Sequence, residues 1–300
     1  MKCAVIDIGS NSMRLSAYDA DADSFRVLFR EKVMAGLAGY VDNGRLNYEG
    51  IACACAGLQK FRCLLDLLQI DRVSVFATAS LRNVANTEQA VREIEAATGF
   101  AVEVISGEEE ALLGYRGAMR ELSMTEGVFV DIGGASTEVA AFRDGQLLRA
   151  RSYPVGSLKL YRECVRKILP GRGGLERIAR RLREELPADV PAPAPGGRLA
   201  CVGGTARAAL RFARKVYGLP ESCHAFSALQ LETLCDALCR CDRAAIDLLL
   251  KTEPERIHTA IPGMLILRCL VRRFDAAELV VSQYGVREGY LCQRILTSLS

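Results

Sequence analysis

The stretch VIDIGSNSMRLSAYDA (5–20) recurs as FVDIGGASTEVAAFRD (129–144) when the chain is shifted on itself by 124 residues. Both copies contain Asp-Ile-Gly-x-x-Ser, beginning at Asp7 and at Asp131, and the strand positions on either side pair apolar with apolar at 5/129, 6/130, 15/139 and 18/142. Apolar or alternating runs on either side of a Gly/Ser/Asn turn are typical of two strands joined by a turn. The sequence therefore indicates an internal duplication of a strand–turn–strand unit. Two similar halves would place two equivalent loops facing each other across a cleft.

The segments that follow each copy alternate between strand and helix patterns. In the first half we predict further strands at 25–33, 73–78 and 101–106, and helices at about 48–68, 87–98 and 107–122. In the second half we predict strands from VFVDIGG to QLLRARSY, helices between 157 and 186, a strand at 199–204, then mainly helix to a strand at 277–282 and a last helix at about 287–299. The Pro/Ala/Gly-rich segment 186–198 is predicted to be a surface connection. Strands that alternate with helices predict an α/β fold.

Composition excludes several classes of protein. The 300 residues are 50% hydrophobic and 25% charged, which fits a soluble globular chain and excludes disorder. The 39 Lys+Arg and 36 Asp+Glu residues leave a formal net charge of +3, too balanced for a nucleic-acid binder. No run reaches the roughly 18 apolar residues of a membrane span, and Asp7 interrupts what would be a signal peptide's apolar segment. We therefore predict a cytoplasmic protein with no nucleic-acid or membrane partner, whose twelve cysteines are reduced.

The two loops have the composition of phosphate-binding turns. A charged Asp at the end of a buried strand needs compensation, and Mg²⁺, which prefers carboxylate oxygen and retains much of its water, is one means. Gly and Ser residues let backbone N–H groups approach an anion closely. The alternative is a tight hairpin turn stabilised by its Asp, which would explain one loop alone. A duplicated pair favours binding of a metal-complexed phosphate chain.

Six stretches resemble the exopolyphosphatase/guanosine-pentaphosphate phosphohydrolase (Ppx/GppA) family of the actin/Hsp70/sugar-kinase superfamily. They are VIDIGSNSMRL (5–15), ATASLRNVAN (77–86), VISGEEEALLGYRGA (104–118), FVDIGGASTEV (129–139), VGGTA (202–206) and GVREGYL (285–291). Members of this family remove the terminal phosphate from inorganic polyphosphate or guanosine pentaphosphate, with Mg²⁺. The resemblance implies the short, two-domain form of the family, in which two actin/Hsp70-like (ribonuclease H-like) domains with mixed sheets flanked by helices enclose a cleft.

The same resemblance divides the chain and suggests its partners. It implies an N-terminal domain at 1–122, with the C-terminal helix 286–300 packing back on it, and a second domain at 123–300. Inorganic polyphosphate or a guanosine polyphosphate is the implied partner, and a homodimer is an assembly suggested only by family analogy.

Two residues are expected to act on the substrate directly. Glu109, in SGEEEA, occupies the position of the water-activating carboxylate in the family motif. Spacing alone favours another interpretation, since Ser106 and Glu109 also form a capping box at a helix start. Arg82, in SLRNVAN, resembles the arginine that contacts phosphate near the attacked phosphorus, and a guanidinium holds phosphate oxygens bidentately. Without the resemblance a single loop arginine would be interpreted as a surface residue.

The resemblance also implies metal and phosphate ligands. Asp7, Asp131 and Glu138 form the implied metal set, and a hairpin would bring Glu138 back towards Asp131. The alternative for Glu138 is an exposed charge on the polar face of a strand. The implied phosphate-binding residues are Gly9, Ser10, Asn11, Ser12, Gly133, Gly134, Ala135, Ser136, Thr137, Gly203, Gly204 and Thr205. The last three begin a helix after a strand, where an anion site and an ordinary turn are equally good interpretations.

Two positions depart from the family pattern. The second loop commonly reads DIGGGST, and Ala135 replaces its third glycine here. A methyl group there would narrow the anion pocket or forbid a positive φ. His258, in RIHTAIPG, stands where the family often has an Asp. Separately, residues 149–183 contain eleven basic and two acidic residues, which suits either a polyanion track or, more commonly, solvated helix faces.

Three other functions remain open at this stage. An ATP-using kinase or ATPase of the same superfamily is one, because VGGTAR (202–207) resembles its adenosine loop. A non-enzymatic sensor of guanosine penta- or tetraphosphate, slowed by Ala135, is another. The third is an actin-like assembly protein. Turnover of adenine nucleotides would support the first, and binding without phosphate release the second.

Overall fold

Both duplicated stretches fold as antiparallel hairpins in the computed structural model of the chain, which describes residues 1–186, 190–191 and 196–298. By spatial proximity the chain divides into two units, Met1–Leu113 with the residues from Arg287 on, and Gly114–Val286. The domain boundary at 122/123 stays a prediction, since a domain is defined by its own core and by folding alone rather than by proximity.

The first unit is built on a five-stranded sheet. Its strands are β1 (Lys2–Ile8), β2 (Met13–Ala20), β3 (Phe25–Val33), β6 (Val73–Ala77) and β7 (Val102–Val104), with a separate short hairpin of β4 (Val41–Asp42) and β5 (Arg45–Leu46). The helices are α1 (Tyr48–Leu67), α2 (Ala79–Arg82), α3 (Thr87–Thr98) and α4 (Gly107–Met119), which continues into the second unit. The sheet order is β3-β2-β1-β6-β7, and β6 and β7 run parallel to β1.

The second unit is built on a six-stranded sheet. Its strands are β8 (Gly127–Ile132), β9 (Thr137–Arg143), β10 (Gln146–Tyr153), β11 (Arg198–Val202), β12 (Ala225–Ser227) and β13 (Glu278–Val281). Its helices are α5 (Ser157–Cys164), α6 (Arg172–Glu185), α7 (Gly203–Tyr217), α8 (Ala228–Cys239), α9 (Arg243–Thr252) and α10 (Ala260–Arg273). The sheet order is β10-β9-β8-β11-β13-β12.

The two sheets repeat one strand order. In each, an antiparallel meander of three strands is followed by two strands parallel to the first strand of the meander, and the second sheet adds only β12 at its edge. Each central strand is almost fully buried, which its run of apolar residues permits. Two mixed sheets with helices between their strands confirm the fold class predicted from the sequence.

The chain returns to the first unit at its C-terminal end. Helix α11 (Val286–Tyr290) continues as a π-helical turn, Leu291–Ile295, and a 3-10 turn, Leu296–Ser298. Glu288 is 1% exposed and accepts a hydrogen bond from the Tyr18 hydroxyl at 3.0 Å, and it also pairs with Arg30 at 3.2 Å. A buried carboxylate needs such partners because water no longer solvates it. The sequence predicts one continuous helix to 299, but the described part changes its winding after Tyr290.

The sequence did not predict the shortest strands and helices of the structure. Strand β12, the β4–β5 hairpin and the single turn of α2 were not predicted, because two to four residues are too few to show a periodicity. Strand β7 is shorter than the predicted 101–106, and α4 ends at Met119 rather than near 122. In the predicted connection 186–198, residues 187–189 and 192–195 lie outside the described residues.

The cysteines act as apolar side chains rather than as cross-links. All twelve are free thiols within the described residues, four of them are buried, and Cys63 is exposed. Burial raises the pKa of the Cys201 thiol well above its usual value, which keeps it protonated. None of the described helices combines the length and apolar character needed to cross a membrane.

Gly289→Ala tests the close approach of α11 to α4. A Cβ on Gly289 would lie 1.9 Å from the carbonyl oxygen of Leu113, so the substitution must displace backbone. We expect a loss of about 1–3 kcal/mol of stability, seen by calorimetry as a fall of roughly 2–10 °C in Tm.

Gly173→Ala is the matched control, since it makes the same change in a helix. Its nearest neighbour would be the Arg177 Nη1 atom at 3.5 Å, so the gain in helix propensity, up to about 1 kcal/mol, should raise Tm slightly. A Gly289→Ala protein that melts at or above the parent temperature would contradict the packing described here.

Candidate functional site

The loop between β8 and β9 closes a tight turn. The Gly133 N–H donates to the Ser136 carbonyl at 2.9 Å, and a Cβ on Gly133 would lie 3.1 Å from that oxygen. At the end of the turn the Thr137 hydroxyl donates to the Val155 carbonyl at 2.5 Å. The turn is therefore held at both ends, with Gly134 and Ala135 at its tip.

The N-terminus of α5 braces this loop from behind. The Ser157 N–H donates to the Gly133 carbonyl at 3.0 Å, and the Leu158 and Lys159 N–H groups both donate to the Gly134 carbonyl at 2.9 Å. A Cβ on Gly156 would lie 2.5 Å from Gly134 backbone atoms, so only glycine permits the contact. Because these N–H groups of the helix already donate hydrogen bonds to loop carbonyls, this helix end positions the loop rather than binding an anion itself.

Ala135 does not occupy a left-handed backbone conformation. The described non-glycine residues with positive φ are Asn43, Gln69, Asp144, Cys241 and Asp275. The methyl group of Ala135 therefore imposes no backbone strain, and of the two effects considered from the sequence only a narrower pocket remains.

Two carboxylates stand side by side at the end of β8. Asp131 and Glu138 are directly opposite each other in the β8–β9 ladder, so their side chains lie on the same face of the sheet. Glu138 is 2% exposed and accepts a hydrogen bond from the Ser152 hydroxyl at 2.7 Å. It is therefore a buried, oriented carboxylate rather than an exposed strand charge.

The start of α7 lies against Asp131. Gly203 has φ +82°, and a Cβ on it would lie 2.2 Å from Asp131 Oδ1, so both its conformation and its space require glycine. The next residues, Gly204 and Thr205, begin the helix, and the Thr205 hydroxyl donates to the Ile132 carbonyl at 3.4 Å. The structure thus brings the predicted residues 203–205 to the same strand end as Asp131.

Arg256 is a cation that sequence reasoning missed at this place. A Cβ on Gly204 would lie 2.0 Å from Arg256 Nη2, so the guanidinium rests on the first turn of α7. The Glu253 carboxylate forms an ion pair with Arg256, with Oε2 at 3.5 Å from Nε, and also pairs with Arg211 of α7. No local motif signals this arginine. The ring of the neighbouring His258 instead lies against the ring of Tyr161, with centroids 4.9 Å apart and the planes tilted by 38°.

The first loop, between β1 and β2, makes the same kind of turn. A Cβ on Gly9 would lie 2.8 Å from the Ser12 carbonyl oxygen. The equivalent distance in the second loop, from a Cβ on Gly133 to the Ser136 carbonyl oxygen, is 3.1 Å. The Ser10 carbonyl accepts from the Ala38 N–H at 2.9 Å, and the Asn11 carbonyl accepts from the Gly36 N–H at 3.0 Å. These bonds fix the loop against the segment that follows β3.

The register around Asp7 marks a difference between the copies. Asp7 lies opposite Arg14, whereas Asp131 lies opposite Glu138. Arg14 Nε donates to the Ser12 hydroxyl at 3.3 Å. The carboxylate pair is thus found only in the second unit of the described structure, and the first unit places a guanidinium at the equivalent position.

Arg82 and Glu109 follow the next two parallel strands of the first unit. Carboxyl ends of parallel strands meet at one sheet edge, so Asp7, Arg82 and Glu109 belong to the same edge. Arg82 Nη1 donates to Glu110 Oε2 at 2.7 Å and to the Ile105 carbonyl at 3.1 Å. The arginine is therefore oriented by the residue next to Glu109.

The backbone of Glu109 takes part in the cap expected from the sequence. Its N–H donates to the Ser106 hydroxyl at 3.1 Å, which is half of the expected capping box. Its carboxylate is 26% exposed and forms an ion pair with Arg294, which also reaches Glu103 at 3.3 Å. Because the cap uses the backbone N–H and the side chain remains partly exposed, capping leaves the carboxylate available for chemistry.

The donor set at Asp131 and Glu138 fits Mg²⁺. The described residues contain no cluster of three or more metal-ligating side chains. Mg²⁺ is usually held by one or two carboxylates, substrate phosphates and several waters rather than by a cage of protein ligands. Two adjacent oxygen-only side chains beside a glycine turn meet that requirement.

Comparison with known proteins supplies the family. The repeated strand order of the two sheets agrees with the actin-like fold that the family resemblance implies. Residues 16–298 match the Ppx/GppA phosphatase family, and the chain belongs to that family.

Individual relatives agree with this assignment. The chain is 33% identical over 197 residues to exopolyphosphatase 2 of Mycobacterium tuberculosis (strains CDC 1551 / Oshkosh and H37Rv), a match that covers 62% of this chain and 61% of that protein. It also superposes on an exopolyphosphatase from Cytophaga hutchinsonii with a TM-score of 0.85, at 22% identity and with 100% and 99% of the two chains covered. The Aquifex aeolicus family member gives a TM-score of 0.81 at 24% identity, with the same coverage. Both superpositions support the fold.

Gly156→Ala tests whether α5 holds the second loop. The added methyl group would collide with the backbone at Gly134 and Ala135, so the three hydrogen bonds that the first N–H groups of α5 donate to the loop should weaken. We expect hydrogen exchange of the 157–159 amides to accelerate by about tenfold or more, while exchange in β1 stays unchanged. Gly173→Ala serves as the control, and unchanged exchange in Gly156→Ala would refute the bracing role.

Proposed function

We propose that the protein is an exopolyphosphatase, which releases orthophosphate from the end of inorganic polyphosphate. The observation that carries the proposal is the shared sheet edge of the first unit, where Glu109 and Arg82 lie with the Asp7 loop. The family and the name of the Mycobacterium tuberculosis relative point to the same activity.

Substrate binding rests on the two glycine turns. The backbone of residues 9–12 and 133–137 would hold phosphoryl oxygens, since glycine and serine let amide groups approach an anion. The N-terminus of α7 at 203–205 and the guanidinium of Arg256 add positive potential beside the second turn. Phosphoryl transfer requires mainly such positioning and charge stabilisation.

Glu109 is the proposed general base. Its carboxylate would accept a proton from a water that attacks the terminal phosphorus, and the bond from that phosphorus to the bridging oxygen then breaks to release orthophosphate. Arg82, oriented by Glu110, would hold the phosphoryl group under attack. Arg294 pairs with the Glu109 carboxylate and would hold it in a fixed direction.

Asp131 and Glu138 are the proposed holders of Mg²⁺. When bound, Mg²⁺ neutralises charge on phosphate oxygens. Ser152 keeps the Glu138 carboxylate turned in a fixed direction through its 2.7 Å hydrogen bond. Asp7, at the equivalent strand end of the first unit, is a further proposed ligand.

Guanosine pentaphosphate is the second candidate substrate, because the family resemblance found in the sequence implies it. An ATPase and a non-enzymatic sensor are tested beside it. Purified protein is offered short polyphosphate, long polyphosphate, guanosine pentaphosphate and ATP in parallel, with Mg²⁺. Faster orthophosphate release from polyphosphate supports the proposal. Preference for ATP, or binding of guanosine pentaphosphate without release from any compound, would reject it in favour of the ATPase or the sensor.

Glu109→Gln should abolish most turnover of polyphosphate. The amide keeps the shape of the side chain but cannot accept the proton, so kcat should fall by about 10²–10⁴-fold while KM changes little. Glu108→Gln is the matched control, since Glu108 is an exposed carboxylate one residue earlier in the same helix turn. A Glu109→Gln protein with near-parental kcat would reject this base.

Glu138→Gln should change the metal requirement. Loss of one carboxylate should raise the Mg²⁺ concentration for half-maximal activity by about tenfold or more, and removal of Mg²⁺ with a chelator should stop phosphate release from the parent protein. Ser152→Ala removes only the orienting hydrogen bond and should produce a smaller shift in the same direction. An unchanged Mg²⁺ requirement in Glu138→Gln would exclude this residue as a ligand.

A further inference from the structure

A groove between three helices of the second unit lies outside every residue assigned above. Helices α6 and α8 both pack on α10, while they make little contact with each other. The groove that this leaves has a volume of about 610 Å³, within the range of small-molecule sites. Its floor is α10, and α6 and α8 form its walls.

The lining follows two helical stripes. From α6 come Leu175, Ile178, Ala179 and Leu182, and from α10 come Leu265, Arg268, Cys269 and Arg272. Both sets have i, i+3, i+4, i+7 spacing, which places each set along one face of its helix. The α6 stripe is apolar, although α6 also contributes Glu176 and Arg183 to the lining, whereas the α10 stripe carries two guanidinium groups. The groove is therefore amphipathic.

Basic residues outnumber acidic residues in the lining of the groove. Its lining includes four arginines and two acidic residues: Arg183, Arg240, Arg268, Arg272, Glu176 and Asp236. Arg272 is paired with Glu232 at 2.5 Å, and Arg268 with Asp236 at 2.9 Å. Arg183 makes no ion pair with any of the residues that the structure describes, and its charge remains available to a ligand.

The charges of the groove also affect the pKa values of its two thiols, Cys269 and Cys239. Burial raises the pKa of Cys269, and guanidinium groups including those of Arg272, Arg268 and Arg183 act against that rise. Burial also raises the pKa of Cys239, to about 11, with Arg268 opposing the rise and Cys241 and Asp236 adding to it. Cys269 therefore lies close to Arg183, Arg268 and Arg272 of the groove lining.

We propose that this groove binds a small amphipathic anion, with its apolar chain against the α6 stripe and its carboxylate or phosphate head at Arg183 beside Cys269. The apolar face is only roughly 10 Å long, two helical turns, which suits a short chain better than a partner helix. This site is separate from the glycine turns, and the proposal does not depend on the proposed hydrolase activity.

Octanoate is the probe, and 1-octanol is its uncharged counterpart. Titration calorimetry on the full chain should show saturable octanoate binding, and 1-octanol should bind about tenfold more weakly because it lacks the charge. Arg183→Glu should weaken octanoate binding by about tenfold. Arg180→Glu makes the same charge change on the same helix outside the groove and should change the affinity by less than about twofold.

Two further readouts locate the site. Ala179→Phe fills the groove from an exposed position on α6 and should abolish octanoate binding while leaving Tm near the parent value. Octanoate at ten times its Kd should slow alkylation of Cys269 by about tenfold, while the exposed Cys63 of the first unit should react at an unchanged rate.

Several results would overturn the proposal. Equal affinity of Arg183→Glu and the parent, or equal binding of 1-octanol, would refute the anion site. Equal protection of Cys63 and Cys269 would reveal non-specific binding. If octanoate neither binds nor protects Cys269 below about 1 mM, the small ligand is excluded and a helical partner becomes the better occupant.

Discussion

A carboxylate at the end of a buried central strand is the constraint around which each unit is arranged. Asp7 ends β1 and Asp131 ends β8, and in each case the chain must turn at once and return as an antiparallel strand. A charge in that position costs free energy unless polar or cationic groups surround it. In the second unit the start of α7 lies against Asp131, and the proposed Mg²⁺ would neutralise the carboxylate there.

The helices serve the loops in different ways. The first amides of α5 are used to hold the second loop, whereas α7 begins with a glycine in a left-handed conformation because Asp131 occupies the space beside it. Arg256 reaches the same place from a distant turn and is held there by Glu253. The starts of α5 and α7 therefore have different functions. Glycine at position 156 lets α5 approach the backbone of the second loop, and glycine at position 203 lets α7 approach Asp131.

Sequence and structure agree best where a pattern is long or repeated. The duplication, the alternation of strands and helices and the tight turns are all legible because they involve many residues or a strict spacing. Glu109 shows the opposite case. Its spacing from Ser106 predicts a cap, and the cap is present, yet the carboxylate also meets Arg294 from the far end of the chain. The local spacing predicts the hydrogen bond of the Glu109 backbone to Ser106, but it gives no information about the ion pair with Arg294.

The sequence by itself determined the α/β class, the duplicated strand–turn–strand unit and the family of the chain, since these depend on apolar periodicity, glycine positions and motifs. Only the tertiary structure decided that Glu138 stands beside Asp131 as a buried carboxylate, that Arg256 rests on the start of α7, and that three helices leave an amphipathic groove. The physical reason is that charges and packing surfaces interact through space. Their partners come from segments up to hundreds of residues apart, and no local spacing encodes that distance.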